Sequence, residues 1–393
     1  MMLSRMLGRC LFLFICIGLF TGCWDSRETD DLALVIASGF DLTKNGQLEA
    51  TLQIALPTGI PSSLQSGGKG KESVLILTAK GKDGVEALSK IQQQLSRKIF
   101  LGHRGVIVFG EKYARQGIDQ VLDDILRLPD SRYNSYILTA YGTTAKEILN
   151  SPYQLEQIPS IGINKIQYSG FSLSIKVDEF LSSLASDGIA PVTGGIRIKK
   201  NGTGPTSFIL DKAAVYKGNK LAGFLSGMEL TTFRWLRGES KKLRFSAQME
   251  PKDEKAKGTV AIEILQSKMK IRTVIKNGDP EISVTLKARA RLLENDTSLD
   301  FSNVKNLKKA EVKFEKEIQK SMERMISHVQ KKFKSDIFGF GRELHIQHPY
   351  AWKRMKKEWK DIYPRVPVTV KTDIRMERIG RTQAPAHLKK TGQ

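Results

Sequence analysis

A single apolar run near the N-terminus is the feature that most limits what this chain can fold into. The run spans residues 10–20, two arginines precede it (Arg5 and Arg9), and two small residues follow it. A basic start, a short apolar stretch and small residues are the pattern of a secretory signal peptide. The run has about half of the roughly 20 residues that a transmembrane helix needs. We therefore predict that residues 1–22 are a signal peptide that is removed, and that the rest of the chain is exported.

Cys23 is the predicted first residue of the mature protein. Phe20-Thr21-Gly22-Cys23 resembles a bacterial lipobox, in which a diacylglyceryl group alkylates the thiol and the chain is cut before the cysteine. Cys10 and Cys16 lie in the removed segment, so the mature chain keeps one thiol and no disulfide is expected. Two acyl chains anchor a protein stably. We predict an S-diacylglyceryl and N-palmitoyl Cys23 as the membrane anchor; a plain signal peptide with an incidental cysteine is the alternative.

The charge of the chain indicates an anionic partner. Its 393 residues include 63 Lys+Arg and 41 Asp+Glu, a net charge of +22, and residues 305–393 alone hold 23 basic against 10 acidic residues. Such an excess fits nucleic acid or an anionic surface. Export argues against nucleic acid, so the predicted partner of the basic C-terminal region is a surface of anionic lipid headgroups or an acidic protein. The alternative is that these charges are only the solvated face of a helix.

Hydrophobic periodicity predicts an α+β fold with mixed sheets and packed helices in three domains. The length and the 40% hydrophobic content are enough for more than one core. A break rich in turn residues follows the first unit, and a charged stretch poor in apolar residues precedes the last. The predicted units are an N-terminal α/β domain (23–197), a small hairpin-containing middle domain (198–250), a C-terminal α+β domain (259–381) and a flexible tail (382–393).

The predicted C-terminal domain is an antiparallel sheet with one long amphipathic helix. Residues 259–265, 269–275 and 281–291 alternate between apolar and polar, as half-buried strands do. A strand over 366–376 closes the domain. Between them lies a helical stripe of about seven turns, in which apolar residues recur every three or four positions. The stripe consists of Leu307, Ala310, Phe314, Ile318, Met322, Met325, Val329 and Phe333.

No residue pattern predicts catalysis, a metal site or a cofactor. Gly339-Phe340-Gly341 lacks the third glycine of a dinucleotide fingerprint, and a turn that enters a helix explains it better. His345 and His348 could share a metal, but no third ligand lies near them in the sequence. The chain has neither a Gly-x-Ser-x-Gly elbow nor a glycine-rich phosphate loop. We therefore expect a protein that is not an enzyme.

Four residues are candidates for contact with a partner protein: His103, Trp235, Trp352 and Trp359. His103 precedes an apolar strand, where a lone histidine more often has a structural hydrogen bond. Trp352 and Trp359 share one predicted helical face with Met355, which fits either a core stripe or an interaction patch.

Four sequence blocks, in order, resemble the Ger(x)C spore germination lipoproteins, the C subunits of nutrient germinant receptors. The similarity covers nearly the whole mature chain, and Phe20, Thr29 and Tyr216 depart from the family pattern. The first block begins at Gly22-Cys23-Trp24-Asp25 and the second is Ser96-Arg97 with Gly102-His103 and Val106–Glu111. The third and fourth are Ala213–Gly218 with Trp235-Leu236-Arg237-Gly238, and Asp336–Gly341 continuing through Trp352 and Trp359 to Val366-Pro367-Val368.

The resemblance implies an accessory subunit, without catalytic groups, on the outer face of the spore inner membrane. Family members are diacylated at the lipobox cysteine, here Cys23, and act with two integral-membrane subunits, called A and B, in sensing nutrients. The resemblance carries no ligand-binding residues. Two other classes remain open: a solute-binding lipoprotein of a transporter, which needs two similar lobes, and a tethered cell-wall enzyme, which needs paired carboxylates or a zinc set.

Overall fold

Two β-sheets with packed helices make up the protein. The computed structural model describes residues 29–56, 72–199, 207–239, 242–249 and 257–378. One sheet has nine strands and the other has four. The predicted signal peptide, Cys23 and the predicted tail (382–393) lie outside the described residues.

The first sheet is parallel in its centre and antiparallel at both sides. Its order is β3-β2-β1-β5-β6-β7-β8-β9, and β4 pairs with the start of β1. The pairs β1–β5, β5–β6 and β6–β7 are parallel, whereas the outer pairs are antiparallel. The strands are Leu32–Leu42 (β1), Leu48–Ala55 (β2), Val74–Gly81 (β3), Lys98–Phe100 (β4), Val106–Phe109 (β5), Tyr136–Ala140 (β6), Val192–Lys199 (β7), Ser207–Lys217 (β8) and Lys220–Ser226 (β9).

Helices cover the first sheet and bury its central strands. All four residues of β5 are buried, as expected for a parallel strand that is covered on both faces. Thr29–Asp31 is a short 3-10 helix before β1. The α-helices are Gly84–Gln92 (α1), Glu111–Gln116 (α2), Asp119–Arg127 (α3), Ala145–Asn150 (α4), Pro159–Ser169 (α5), Val177–Leu184 (α6) and Gly227–Leu236 (α7).

The strands of the predicted middle domain are divided between the two sheets. The β8–β9 hairpin forms as predicted, but β8 also pairs along β7 and so extends the first sheet. The next strand, Arg244–Met249 (β10), pairs with the second sheet instead. The β8–β9 hairpin is thus continuous with the first sheet through the pairing of β8 with β7. The division of the chain into domains stays a prediction.

The second sheet has the order β10-β11-β12-β13. Its other strands are Gly258–Lys276 (β11), Asp279–Asn295 (β12) and Val368–Arg378 (β13). Two predicted strands are one continuous β11, because its ladder with β12 persists through two register shifts. Asn277 and Gly278 both have positive φ, the geometry of a tight hairpin turn, and they join β11 to β12.

The last strand corrects the prediction of a purely antiparallel sheet. β13 pairs parallel to β12, whereas β10, β11 and β12 are antiparallel. A long helical connection lies between β12 and β13, and such a connection is what lets two neighbouring strands run in the same direction. It contains Val304–His328 (α8), the π-helical turn Val329–Phe333, Phe340–Gln347 (α9), Pro349–Met355 (α10), Trp359–Ile362 (α11) and the 3-10 turn Tyr363–Arg365.

The predicted apolar stripe of α8 forms the centre of the second core. Phe314, Ile318, Met322 and Met325 are buried, and they belong to the same hydrophobic cluster as β-sheet residues of both sheets. This helix also bonds a backbone group on the free edge of β13, since Glu315 accepts from the Ile374 N–H at 3.0 Å. The helix therefore closes both the face and the edge of the sheet.

Replacing Phe314 by alanine is expected to destabilise the protein by about 3–5 kcal/mol, because it removes a fully buried ring from the α8 stripe. Lys316→Ala, an exposed change on the same helix, is the matched control and should have little effect. Urea unfolding followed by circular dichroism measures both. Equal midpoints for the two variants would contradict this account of the core.

Candidate functional site

The Asp336 carboxylate organises the junction between the two sheets. Its Oδ1 accepts from the Phe340 N–H at 3.1 Å, and its Oδ2 accepts from the Gly341 N–H at 2.7 Å. The Trp359 Nε1–H also donates to Oδ2, at 3.0 Å. The two backbone donors are the first N–H groups of α9, so the negative charge lies where a helix N-terminus favours it.

Backbone contacts across the junction are close enough to require glycine. The Ala190 N–H donates to the Asp336 carbonyl at 2.7 Å, and the Arg342 N–H donates to the Gly188 carbonyl at 2.9 Å. A Cβ on Gly341 would lie 2.6 Å from Trp359 Nε1 and 2.9 Å from Gly188 Cα. Side chains on either glycine would therefore push the segment before β7 away from α9.

Burial raises the pKa of Asp336 from its ordinary value of 3.8 to about 6, although its three hydrogen bonds act in the opposite direction. Asp41 has a pKa raised to about 6 for the same reason; it accepts from Ala145 and Lys146 at the start of α4. Both carboxylates have structural partners, so a shifted pKa is not by itself evidence of catalysis here.

The structure brings Trp352 and Trp359 together, but in the interior. Their rings lie 5.4 Å apart in an edge-to-face arrangement, and each residue is 3% exposed. Trp235 lies elsewhere, packed on Phe245 at 5.0 Å, and it is fully buried. Each of the three rings packs in the core of the chain itself, and their contact with a partner stays a prediction.

His103 is the exposed member of the predicted contact residues. It packs against Phe100 with ring centroids 5.6 Å apart. Its role as a partner contact stays a prediction. Cys23 lies outside the described residues, so its lipid attachment also stays a prediction.

The two histidines near the C-terminal helices have separate structural roles. His345 stacks on Trp352 at 6.0 Å, and His348 Nε2 donates to the Thr273 carbonyl at 2.9 Å. The Gln347 side chain lies beside the same part of β11: its Oε1 accepts from the Thr273 N–H, and its Nε2 donates to the Ile271 carbonyl. Among the residues that the structure describes, no group of three or more His, Cys, Asp or Glu is placed to hold a metal ion.

The outer face of the second sheet carries a dense row of cations. From residue 268 of β11 onward, and along β12 and β13, more exposed residues alternate with more buried ones, and many of the more exposed residues are basic. Lys268 lies directly opposite Lys287 in the β11–β12 register. Like charges directly opposite one another destabilise a sheet. The exposed basic residues of this surface, called the basic sheet face below, are Lys268, Lys270, Arg272, Lys276, Lys287, Arg289, Arg291, Lys371 and Arg375.

Four of these cations form the centre of the basic sheet face. Lys268, Lys270, Arg272 and Lys371 have no ion pair within the described part of the chain, whereas the other five each have a carboxylate within 4.0 Å. The predicted basic region, residues 305–393, does not include the basic residues of β11. Their period of two along an alternating strand was the available signal.

In the described ranges, no helix combines the length and the apolar character needed to cross a bilayer.

Two protein-family models match successive parts of the chain. The model described as "Spore germination protein N-terminal domain" matches residues 25–198. The model described as "Spore germination B3/ GerAC like, C-terminal" matches residues 211–380. Together they cover both sheets.

Curated relatives are similar over almost their whole length. The chain is 28% identical to spore germination protein KC of Bacillus subtilis (strain 168), over 97% of this chain and 98% of that protein. It is 29% identical to spore germination protein B3 of the same organism, over 89% and 92% of the two chains. The crystal structure of the GerBC protein matches with a TM-score of 0.56 and 23% identity, over 87% of this chain and 98% of that one. That structural match confirms the predicted α+β fold class.

Asp336→Asn is expected to lower stability most at low pH. The folded state holds the Asp336 proton more tightly than the unfolded state does. This tighter binding adds to the free energy of unfolding in full below pH 3.8, and the added stability is lost as pH rises to about 6. That loss is about 3 kcal/mol in the wild type, and it is absent from the variant. The asparagine NH2 would also face backbone or indole donors in either orientation, which costs about 1–3 kcal/mol.

Unfolding by urea at pH 4, 5, 6 and 7 measures this difference, with the exposed Asp361→Asn as control. The difference in free energy of unfolding between the wild type and Asp336→Asn should shrink as pH rises. The free energy of unfolding of both proteins should still fall with pH, because Asp41 also has a raised pKa. A constant deficit from pH 4 to pH 7 would show that the charge of Asp336 is not coupled to folding.

Proposed function

This chain belongs to the Ger(x)C family of spore germination proteins, and on that premise we propose that it is a lipid-anchored accessory subunit of a nutrient germinant receptor. The observation that carries the proposal is that the family similarity extends over both sheets rather than over one part. The subunit works through protein–protein contacts with the integral-membrane A and B subunits and has no catalytic role of its own.

The proposed anchor is Cys23, at the end of the predicted signal peptide. The S-diacylglyceryl and N-palmitoyl chains hold the protein on the outer face of the spore inner membrane. The first family model begins at residue 25, two residues after this cysteine, which supports Cys23 as the boundary between leader and folded protein.

The basic sheet face is the proposed second contact with the membrane. Its four unpaired cations are exposed, and each basic residue near an anionic bilayer contributes roughly 1 kcal/mol of attraction. A lipid at the N-terminus restrains position but not orientation. Electrostatic attraction of one face therefore orients the protein on the membrane beside its partner subunits.

A solute-binding lipoprotein of a transporter is the alternative function, and the architecture disfavours it. That class needs two similar lobes around a cleft, whereas the sheets here have nine and four strands with different connections. Direct titration of the protein with amino acids and sugars separates the two functions, since saturable binding would favour the transporter class.

Cys23→Ala is expected to release the protein from membranes and to abolish its recovery with the A and B subunits. The measurement is affinity capture of the tagged protein from detergent-solubilised spore inner membrane, followed by mass spectrometry. Wild-type protein should bring both integral subunits with it. Recovery of transporter subunits instead, or unchanged membrane attachment of the variant, would overturn this proposal.

Replacing the four unpaired cations of the basic sheet face by glutamine should weaken binding to anionic vesicles at least roughly tenfold. The lipid-free chain, residues 24–393, and vesicles with phosphatidylglycerol measure this by co-sedimentation. The matched control replaces four exposed lysines of α8, namely Lys305, Lys309, Lys316 and Lys320. Equal losses for both sets would show that net charge alone, and not this face, determines binding.

A further inference from the structure

A cleft of about 290 Å³ opens at the junction between the two sheets. The loop that precedes β7 and the β8–β9 turn form one side. The segment before α9 and the region of α10 and α11 form the other side. The first sheet and the helical connection between β12 and β13 thus contribute to one cavity, which lies next to the glycine contact of Gly188 and Gly341.

Five lysines line the cleft: Lys217, Lys334, Lys356, Lys357 and Lys360. The only carboxylates among its lining residues are those of Asp187 and Asp336. Asp187 lies 3.8 Å from Lys356 Nζ, and both oxygens of Asp336 are occupied by the hydrogen bonds described above. The other four ammonium groups have no ion pair within the described residues. Several like charges in a small cavity repel one another unless an anion neutralises them.

Two buried hydroxyl groups belong to the same lining. Tyr363 is 1% exposed and Ser335 is 4% exposed, and neither hydroxyl has a hydrogen-bond partner in the described protein. Nearly all buried polar side chains in proteins have such a partner. Burial raises the pKa of the Tyr363 hydroxyl, and the charge of Asp336, whose oxygens already accept three donors, raises it further. Both hydroxyl oxygens lie behind the surface of the cleft.

The backbone holds these groups in place. Lys334 has the left-handed conformation, with φ of 50°, directly after the π-helical turn, and its N–H donates to the Val329 carbonyl at 3.0 Å. Gly218, at the opposite side of the cleft, has φ of 63° in the β8–β9 turn. One short turn therefore places Lys334 on one side of the cleft, and the other places Lys217 on the opposite side.

We propose that this cleft binds a small multivalent oxyanion with carboxylate or phosphate groups. Ammonium groups from both sides contact its oxygens. The binding site does not depend on the proposed receptor function. Because the site joins the first sheet to the helical connection of the second, a bound anion stabilises that junction and raises the unfolding temperature of the protein.

Titration calorimetry of the full chain in detergent, at low ionic strength, tests this site with citrate and with inorganic phosphate as probes. Glucose is the uncharged control. We expect saturable heat with at least one anion and none with glucose. The double variant Lys334→Gln/Lys360→Gln should raise the dissociation constant of the anion at least roughly tenfold, since it removes two charge-assisted contacts.

A second lysine pair separates a built site from a general charge effect. Lys305→Gln/Lys309→Gln removes the same charge from the exposed start of α8 and should leave binding unchanged. The absence of saturable heat, or an equal loss in both lysine pairs, would overturn the proposal. Binding of anionic vesicles through these lysines without binding of either small anion would assign the cleft to a macromolecular surface and overturn it as well.

Discussion

The Asp336 carboxylate is the interaction on which the arrangement of the two sheets depends. One side chain satisfies the first N–H groups of α9 and the indole N–H of Trp359, while its own carbonyl accepts from Ala190 in the other sheet's connection. A buried charge is tolerated only where such donors converge. The close passage of Gly188 and Gly341 follows from this geometry, and so does the position of the lysine-lined cleft beside them.

The second sheet illustrates how one connection can determine both a core and a surface. Since α8 lies between β12 and β13, it covers one face of the sheet and leaves the opposite face open. Side chains bond free backbone groups at two places, Glu315 at β13 and Gln347 with His348 at the part of β11 that extends beyond its pairing with β10. Those groups are no longer available to another strand, and the open face is left for electrostatic contact.

The proposed function combines contacts of different strength. In this proposal a diacylated Cys23 attaches the protein, and electrostatic attraction of the basic sheet face, which falls off within a Debye length of the surface, orients it. The proposed anion cleft adds a third contact that acts within the protein rather than at the membrane. Because it lies between the sheets, its occupancy is a means of stiffening the junction on which both surfaces depend.

The sequence by itself determined the α+β class, the stripe of α8 and the family, because these depend on local composition, on the period of apolar residues and on the order of short motifs. The leader and the lipobox cysteine are predictions of the sequence alone. Tertiary structure alone decided that β8 joins the first sheet, that β13 is parallel to β12, and that Trp235, Trp352 and Trp359 lie in the core. A stripe of aromatic residues has the same spacing whether it faces a core or a partner. The cleft and the basic sheet face were likewise decided in space, since residues such as Lys217 and Lys334, or Lys270 and Lys371, converge only when distant strands and turns are packed together.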